Sequence, residues 1–134
     1  MTSGPSDAEL VRMALAAREQ AYAPYSNFHV GAALLTRDGR VFTGCNVENA
    51  SYGLTVCAER VALFKAVSEG SRTFTALAIA GPSDDYCRPC GACLQVMSEF
   101  APELRVIMAD RTGRFRSRTL LQLLPEAFSM VPGT

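Results

Sequence analysis

Three short apolar runs constrain the fold of this chain more than any other feature. FHVGAALLT (28–36), TALAIAG (75–81) and LRVIMAD (104–110) carry almost no polar residue. They lack the alternation of a half-exposed strand, so each reads as a strand covered on both faces. Helical patterns lie between them. Ser6 and Glu9 form a capping-box signature ahead of Leu10, Val11, Ala14 and Leu15, with Pro24 marking the limit of the run. CAERVALFKAVSEG (57–70) reads as a helix closed by Gly70, and CGACLQVMSEF (90–100) as one closed by Pro102. Asp38-Gly39 signals a two-residue hairpin that returns the first strand through VFTGCNVEN (41–49). After LRVIMAD, an RTGR turn leads through a further short strand to a final TLLQLLP helix. The order α-β-β-α-β-α-β-β-α predicts an α/β fold, a three-layer α-β-α sandwich with a mixed sheet. With 134 residues and no repeat, low-complexity stretch or linker, a single domain over 1–134 is expected.

Thirteen basic residues balance thirteen acidic ones. A nucleic-acid polymer is therefore not the expected partner, because neutralising phosphates requires a basic excess. Five arginines between Arg105 and Arg118 are the one local concentration, read as a solvated edge or subunit contact in preference to a phosphate site. No apolar run reaches the ~18 residues that would span a bilayer. The N-terminal segment lacks the pattern of a signal peptide, so no membrane association and a cytoplasmic location are expected.

In such a compartment five cysteines read first as metal ligands or redox groups. Cys57 opens one predicted helix, and Cys90 and Cys93 open another in PCGAC. Both helices follow strands, so both N-termini should emerge at one edge of the sheet, where partial positive charge favours thiolates. Three thiolates gathered there suit zinc with a fourth position left open. Glu59, in the first helical turn after Cys57, can face that position without coordinating. Cys-x-Glu followed by Pro-Cys-x-x-Cys is the signature of zinc deaminases with cysteine as the first ligand.

Competing readings exist for the same residues. Cys-Gly-Ala-Cys alone suits a thioredoxin-like redox pair but leaves Cys57 and Glu59 without a role. Cys87, Cys90 and Cys93 open a ferredoxin-like run, yet Met97 stands where its fourth cysteine belongs. A structural zinc closed by Cys45 or Cys87 would leave no open position.

Beyond these motifs, AYAPYSNFHVGAALL, GCNVENASYGLTVCAERVALFKAV, PCGACLQVMSEF and LLPEAF together resemble the short, homotetrameric class of cytidine deaminase, over about Ala8 to Phe128. The resemblance implies a hydrolase of pyrimidine salvage that converts cytidine and deoxycytidine to uridine and deoxyuridine with release of ammonia. It implies one Zn²⁺ per chain on Cys57, Cys90 and Cys93, with Glu59 as the acid/base. Asn46 and Glu48 would bind ribose, a role their spacing also suits, since residues two apart on a strand share a face. Phe28 would pack on the pyrimidine, Tyr52 and the Ala58 backbone would add contacts, and Phe128 would reach a neighbouring subunit's site. Arg60 would donate to the ligand sulfurs and offset the net negative charge of three thiolates on Zn²⁺. His29, the one histidine, reads as a strand residue. Leu94 departs from the arginine common after PCGAC in the family. Deamination of another aminopyrimidine, such as blasticidin S, and a non-catalytic zinc-binding module are the alternatives.

Overall fold

The computed structural model describes residues 4–130. Five strands form one sheet in the order β2-β1-β3-β4-β5. They are β1 (Gly31–Thr36), β2 (Val41–Cys45), β3 (Phe74–Ala80), β4 (Arg105–Ala109) and β5 (Phe115–Thr119). Four α-helices accompany them: α1 (Asp7–Ala17), α2 (Ala58–Ser68), α3 (Gly91–Phe100) and α4 (Leu120–Leu123). Only the β3–β4 pair is parallel; β1–β2, β1–β3 and β4–β5 are antiparallel. The expected mixed sheet and three layers are present. Among the described residues, no helix is long and apolar enough to cross a membrane.

The strand residues divide by size as well as by face. Ala33, Ala76, Ala78, Ala80 and Ala109 lie with Leu35 and Ile107 on the side packed against Leu10, Val11 and Ala14 of α1. Leu34, Leu77, Ile79, Val106 and Met108 face the opposite way, against Ala58, Ala62 and Leu63 of α2 and Leu94 and Met97 of α3. The alanine-rich face lets α1 lie close. At Gly31 an added Cβ would stand 2.0 Å from the Ala14 carbonyl oxygen, so helix and strand backbones touch there. Helix α1 begins as its sequence requires: Ser6 accepts from Glu9 N–H, and the Glu9 carboxylate accepts from Ser6 N–H at 2.8 Å.

Three local details differ from the sequence reading. The β1–β2 hairpin has a three-residue loop, Arg37 to Gly39, because Thr36 N–H bonds to Arg40 and Gly39 sits at φ 93°. That left-handed glycine closes a bulged turn, a geometry the Asp-Gly pair serves as well as the two-residue form. Strand β1 starts at Gly31, so Phe28 and His29 precede it. Strand β2 ends at Cys45, and residues 46–48 leave the sheet to run between Tyr22 and Val56, bridged to both through Val47.

Strands β2 and β3 both run antiparallel to β1 and hence parallel to each other, so α2 and α3 start at the same sheet edge. Gly44 seats α2 there: an added Cβ would lie 2.5 Å from Ala58 O and 2.6 Å from Ala62 N. Gly44→Ala is expected to force α2 outward and lower unfolding stability by about 1–3 kcal/mol in urea titration.

At the far edge, Asp110 ties the β4–β5 turn. Its carboxyl lies well below the usual carboxylate range, chiefly through the Thr112 hydroxyl and then through the Arg114 guanidinium and two backbone N–H groups. A carboxyl depressed on folding stabilises the native state above its unfolded pKa of about 3.9, and that contribution fades as pH falls below it. The stability gap between wild type and Asp110→Asn should therefore be constant above about pH 5 and narrow towards pH 2 in acid titrations.

Candidate active site

Cys57 and Cys90 occupy the N-cap positions of α2 and α3, and Cys93 lies in the first turn of α3. Their placement follows from the parallel alignment of β2 and β3. The Cys57 and Cys90 sulfurs are 3.9 Å apart and those of Cys90 and Cys93 3.4 Å. All three fall within 4.8 Å of one another, and they form the one such group of potential ligands among the described residues. Zn–S bonds of ~2.3 Å in tetrahedral geometry place sulfurs ~3.8 Å apart, close to the 3.9 and 3.4 Å seen here, so the group is of a size to hold zinc.

The electrostatics also fit. The hydrogen bond between the Cys57 and Cys93 thiols favours the Cys57 thiolate, bringing it down to about 5, and pushes Cys93 up. The Arg60 guanidinium adds to the effect on Cys57, its Nη2 lying 3.4 Å from the sulfur. Arg60 Nε is the one buried side-chain nitrogen or oxygen without a hydrogen-bond partner among the described residues. An unspent cationic donor beside three sulfurs suits a cluster that carries net negative charge once metal is bound.

Glu59 is only 4% exposed and stands outside the ligand group. Burial raises its carboxyl to about 7, with the Cys57 charge acting in the same direction. A carboxyl poised there can both accept and donate a proton at neutral pH.

In front of these groups is a cleft of about 380 Å³. Phe28, Asn46, Glu48, Tyr52 and Ala58 line it together with Cys57, Glu59 and Cys90. Asn46 and Glu48 are not solvent-facing strand residues: they are 8% and 6% exposed, outside β2, and each is hydrogen-bonded to the segment before β1. Phe128 is elsewhere on this chain. It is 71% exposed, and Gln95 holds its backbone, donating to its carbonyl at 2.9 Å. His29 lies outside both the sheet and the cleft lining.

The cleft also contains Ser26, Val30, Thr55, Cys87 and Arg88, which sequence reasoning does not assign to it. Ser26 stands in the AYAPYSNF block, two residues before Phe28, and that proximity is its only sequence signal. Cys87 lies outside the group of sulfurs close enough to share a metal, and burial pushes its thiol up to about 12. Cys45 is likewise outside the group. Leu94 is buried in the core between α3 and the sheet, so no guanidinium is needed at that position for packing.

This fold and this donor set define a zinc-binding α/β deaminase. Residues 5–109 match the family model described as the cytidine and deoxycytidylate deaminase zinc-binding region. The chain is 52% identical to a cytidine deaminase of Halalkalibacterium halodurans over 90% of its own length and 92% of that protein. A crystal structure of cytidine deaminase from Burkholderia pseudomallei is 54% identical, with a TM-score of 0.90 over 92% of this chain and all of that one. A blasticidin-S deaminase of Bacillus cereus is more distant, 34% identical over 89% of each chain. The chain belongs to the cytidine and deoxycytidylate deaminase family.

Substituting one ligand leaves two thiolates, too few to hold zinc with an open catalytic position. Cys90→Ala, purified without added metal, is expected to lose most of its zinc by elemental analysis. Its melting temperature should no longer respond to a chelator, because metal binding and folding are linked.

Proposed function

We propose that the chain hydrolytically deaminates cytidine and deoxycytidine, yielding uridine or deoxyuridine and ammonia, in nucleoside salvage. The observation that carries this reading is the buried Glu59 carboxyl beside an open three-cysteine cradle, at the end of a cleft walled by Phe28, Asn46 and Glu48. Zinc held by Cys57, Cys90 and Cys93 supplies the Lewis acidity that makes water nucleophilic near neutral pH.

The remaining work falls to the chain's own side chains. Phe28 packs on the pyrimidine and directs C4 towards Glu59. The Glu59 carboxylate takes a proton from the attacking water and delivers it to N3. Once C4 is tetrahedral, Glu59 takes the proton of the new C4 hydroxyl and passes it to the amino group, so the C4–N bond breaks, ammonia leaves and the C4 carbonyl forms. Ala58 and Tyr52 border the pyrimidine. Asn46 and Glu48 offer their remaining hydrogen-bonding capacity to the sugar hydroxyls, and Arg60 keeps the sulfurs charge-balanced.

A homotetramer is part of the same proposal. Phe128 supports it, since its backbone is anchored by Gln95 while its exposed side chain is absent from the lining of its own cleft and available to a neighbouring site. We further infer a single-domain enzyme of the cytoplasm, since its five cysteines are all free thiols and suit a reducing compartment. A free nucleoside is favoured over a polymer by the neutral charge balance.

The test pairs substrates with one substitution. Glu59→Gln should keep its zinc and its melting temperature while ammonia release from cytidine falls by about a hundred- to ten-thousandfold. Full activity in that variant would remove Glu59 from the mechanism. Turnover of blasticidin S in preference to cytidine by the wild type would redirect the substrate assignment to another aminopyrimidine.

A further inference from the structure

The segment from Tyr25 to Val30 has no place in the sheet, yet Ser26, Phe28 and Val30 from it line the cleft. Its backbone is strained at one point, where Asn27 adopts φ 57°, a left-handed value that non-glycine residues rarely take. The segment is held by side chains from residues 46–48. Asn46 Oδ1 accepts from Val30 N–H at 2.9 Å, and its Nδ2 donates to Phe28 O at 2.8 Å. Glu48 Oε1 accepts from the N–H groups of Tyr25 and Ser26 at 3.0 and 3.1 Å. The Ser26 hydroxyl donates to Glu48 Oε2.

We infer that Ser26 is a positioning residue for sugar recognition: its hydroxyl fixes the Glu48 carboxylate so that one oxygen keeps an acceptor site turned to the cleft. This rests on the nucleoside reading above. The direction of the bond follows from proton counting. The Ser26 hydroxyl has one proton, and its oxygen already accepts from Phe28 N–H at 3.0 Å, so the proton goes to Glu48. A carboxylate has about four acceptor sites. Two backbone N–H groups fill Oε1, and the Ser26 hydroxyl takes one site of Oε2, leaving one site on that oxygen for a ligand.

Without the hydroxyl, the carboxylate is fixed only through Oε1 and is free to swing Oε2 away from the sugar. The same bond is the largest of the influences that hold the Glu48 carboxyl below its ordinary value, with the two N–H donors and His29 acting in the same direction. An ionised, fully oriented carboxylate accepts only, so it selects hydroxyl donors and disfavours a phosphate in their place.

The test uses the zinc-loaded protein with cytidine and with its dideoxyribose analogue, which lacks the ring hydroxyls. For Ser26→Ala, KM for cytidine should rise about tenfold or more, the scale of a hydrogen bond to a charged group, while kcat changes less than about threefold. The analogue should lose less than about threefold in kcat/KM, since it never used the contact. Ser26→Thr, which keeps the hydroxyl, should restore most of the affinity. Adding Ser26→Ala to Glu48→Gln should cost little more than Glu48→Gln alone, as expected of two residues acting as a unit.

Zinc content and melting temperature, measured on each variant, separate this from loop collapse. Equal losses on both substrates, or a wild-type KM in Ser26→Ala, would overturn the positioning role while leaving the nucleoside reading intact. Failure of the wild type to deaminate cytidine would overturn that reading and the positioning role with it.

Discussion

The candidate active site depends on one constraint of the sheet: β2 and β3 are both antiparallel to β1 and therefore end at the same edge. Every ligand position follows from it. The chain leaves β2, crosses the cleft as residues 46–48, and enters α2 at Cys57; it leaves β3 and enters α3 at Cys90. Two helix N-termini thus converge, and their partial positive charges act on the same group of sulfurs. Gly44 contributes through what it lacks, since a side chain there would meet the α2 backbone and displace Cys57 and Glu59 together.

The opposite wall of the cleft is built on a different principle. One backbone bond, from Asn46 N–H to Val30 O at 3.3 Å, continues the β1–β2 ladder into it, and the rest of its support comes from the Asn46 and Glu48 side chains, which bond the backbone of residues 25, 26, 28 and 30. These two side chains therefore have a double role, fixing the wall that carries Phe28 and, in the proposed reaction, presenting their remaining acceptors and donors to the sugar. In the proposed reaction, catalytic chemistry falls to helix ends, whereas substrate recognition falls to a loop held by buried polar groups. Such groups impose a definite geometry because leaving any of them unpaired is costly.

The helix-end half of the site is readable in the sequence, and the loop half much less so. Cysteines at N-caps, a carboxylate two residues on, and apolar strands ahead of both helices are local patterns with fixed spacing. Ser6 and Glu9 are similarly explicit about where α1 begins. Phe28 and His29 fall outside β1 for a reason no periodicity records: Asn46 replaces ladder bonds with side-chain ones, and Asn27 turns the chain with a left-handed backbone. Ser26 escapes sequence reasoning for the same reason, since its partner lies 22 residues away. The hairpin loop is one residue longer than expected because Asp-Gly suits both loop lengths, and the ladder partner of Thr36 decides between them. For Asn46 and Glu48, spacing puts them on a common side, but only the fold shows that they are buried.

In the proposed reaction, the three-cysteine zinc cradle and Glu59, set on two converging helix ends, are what make this cleft a cytidine-deaminating site. The most direct test is the product balance of the purified, zinc-replete protein incubated with cytidine. Ammonia and uridine in equal amounts, formed catalytically, are the expected result. Zinc bound and the fold intact, with no ammonia released from cytidine, would contradict it.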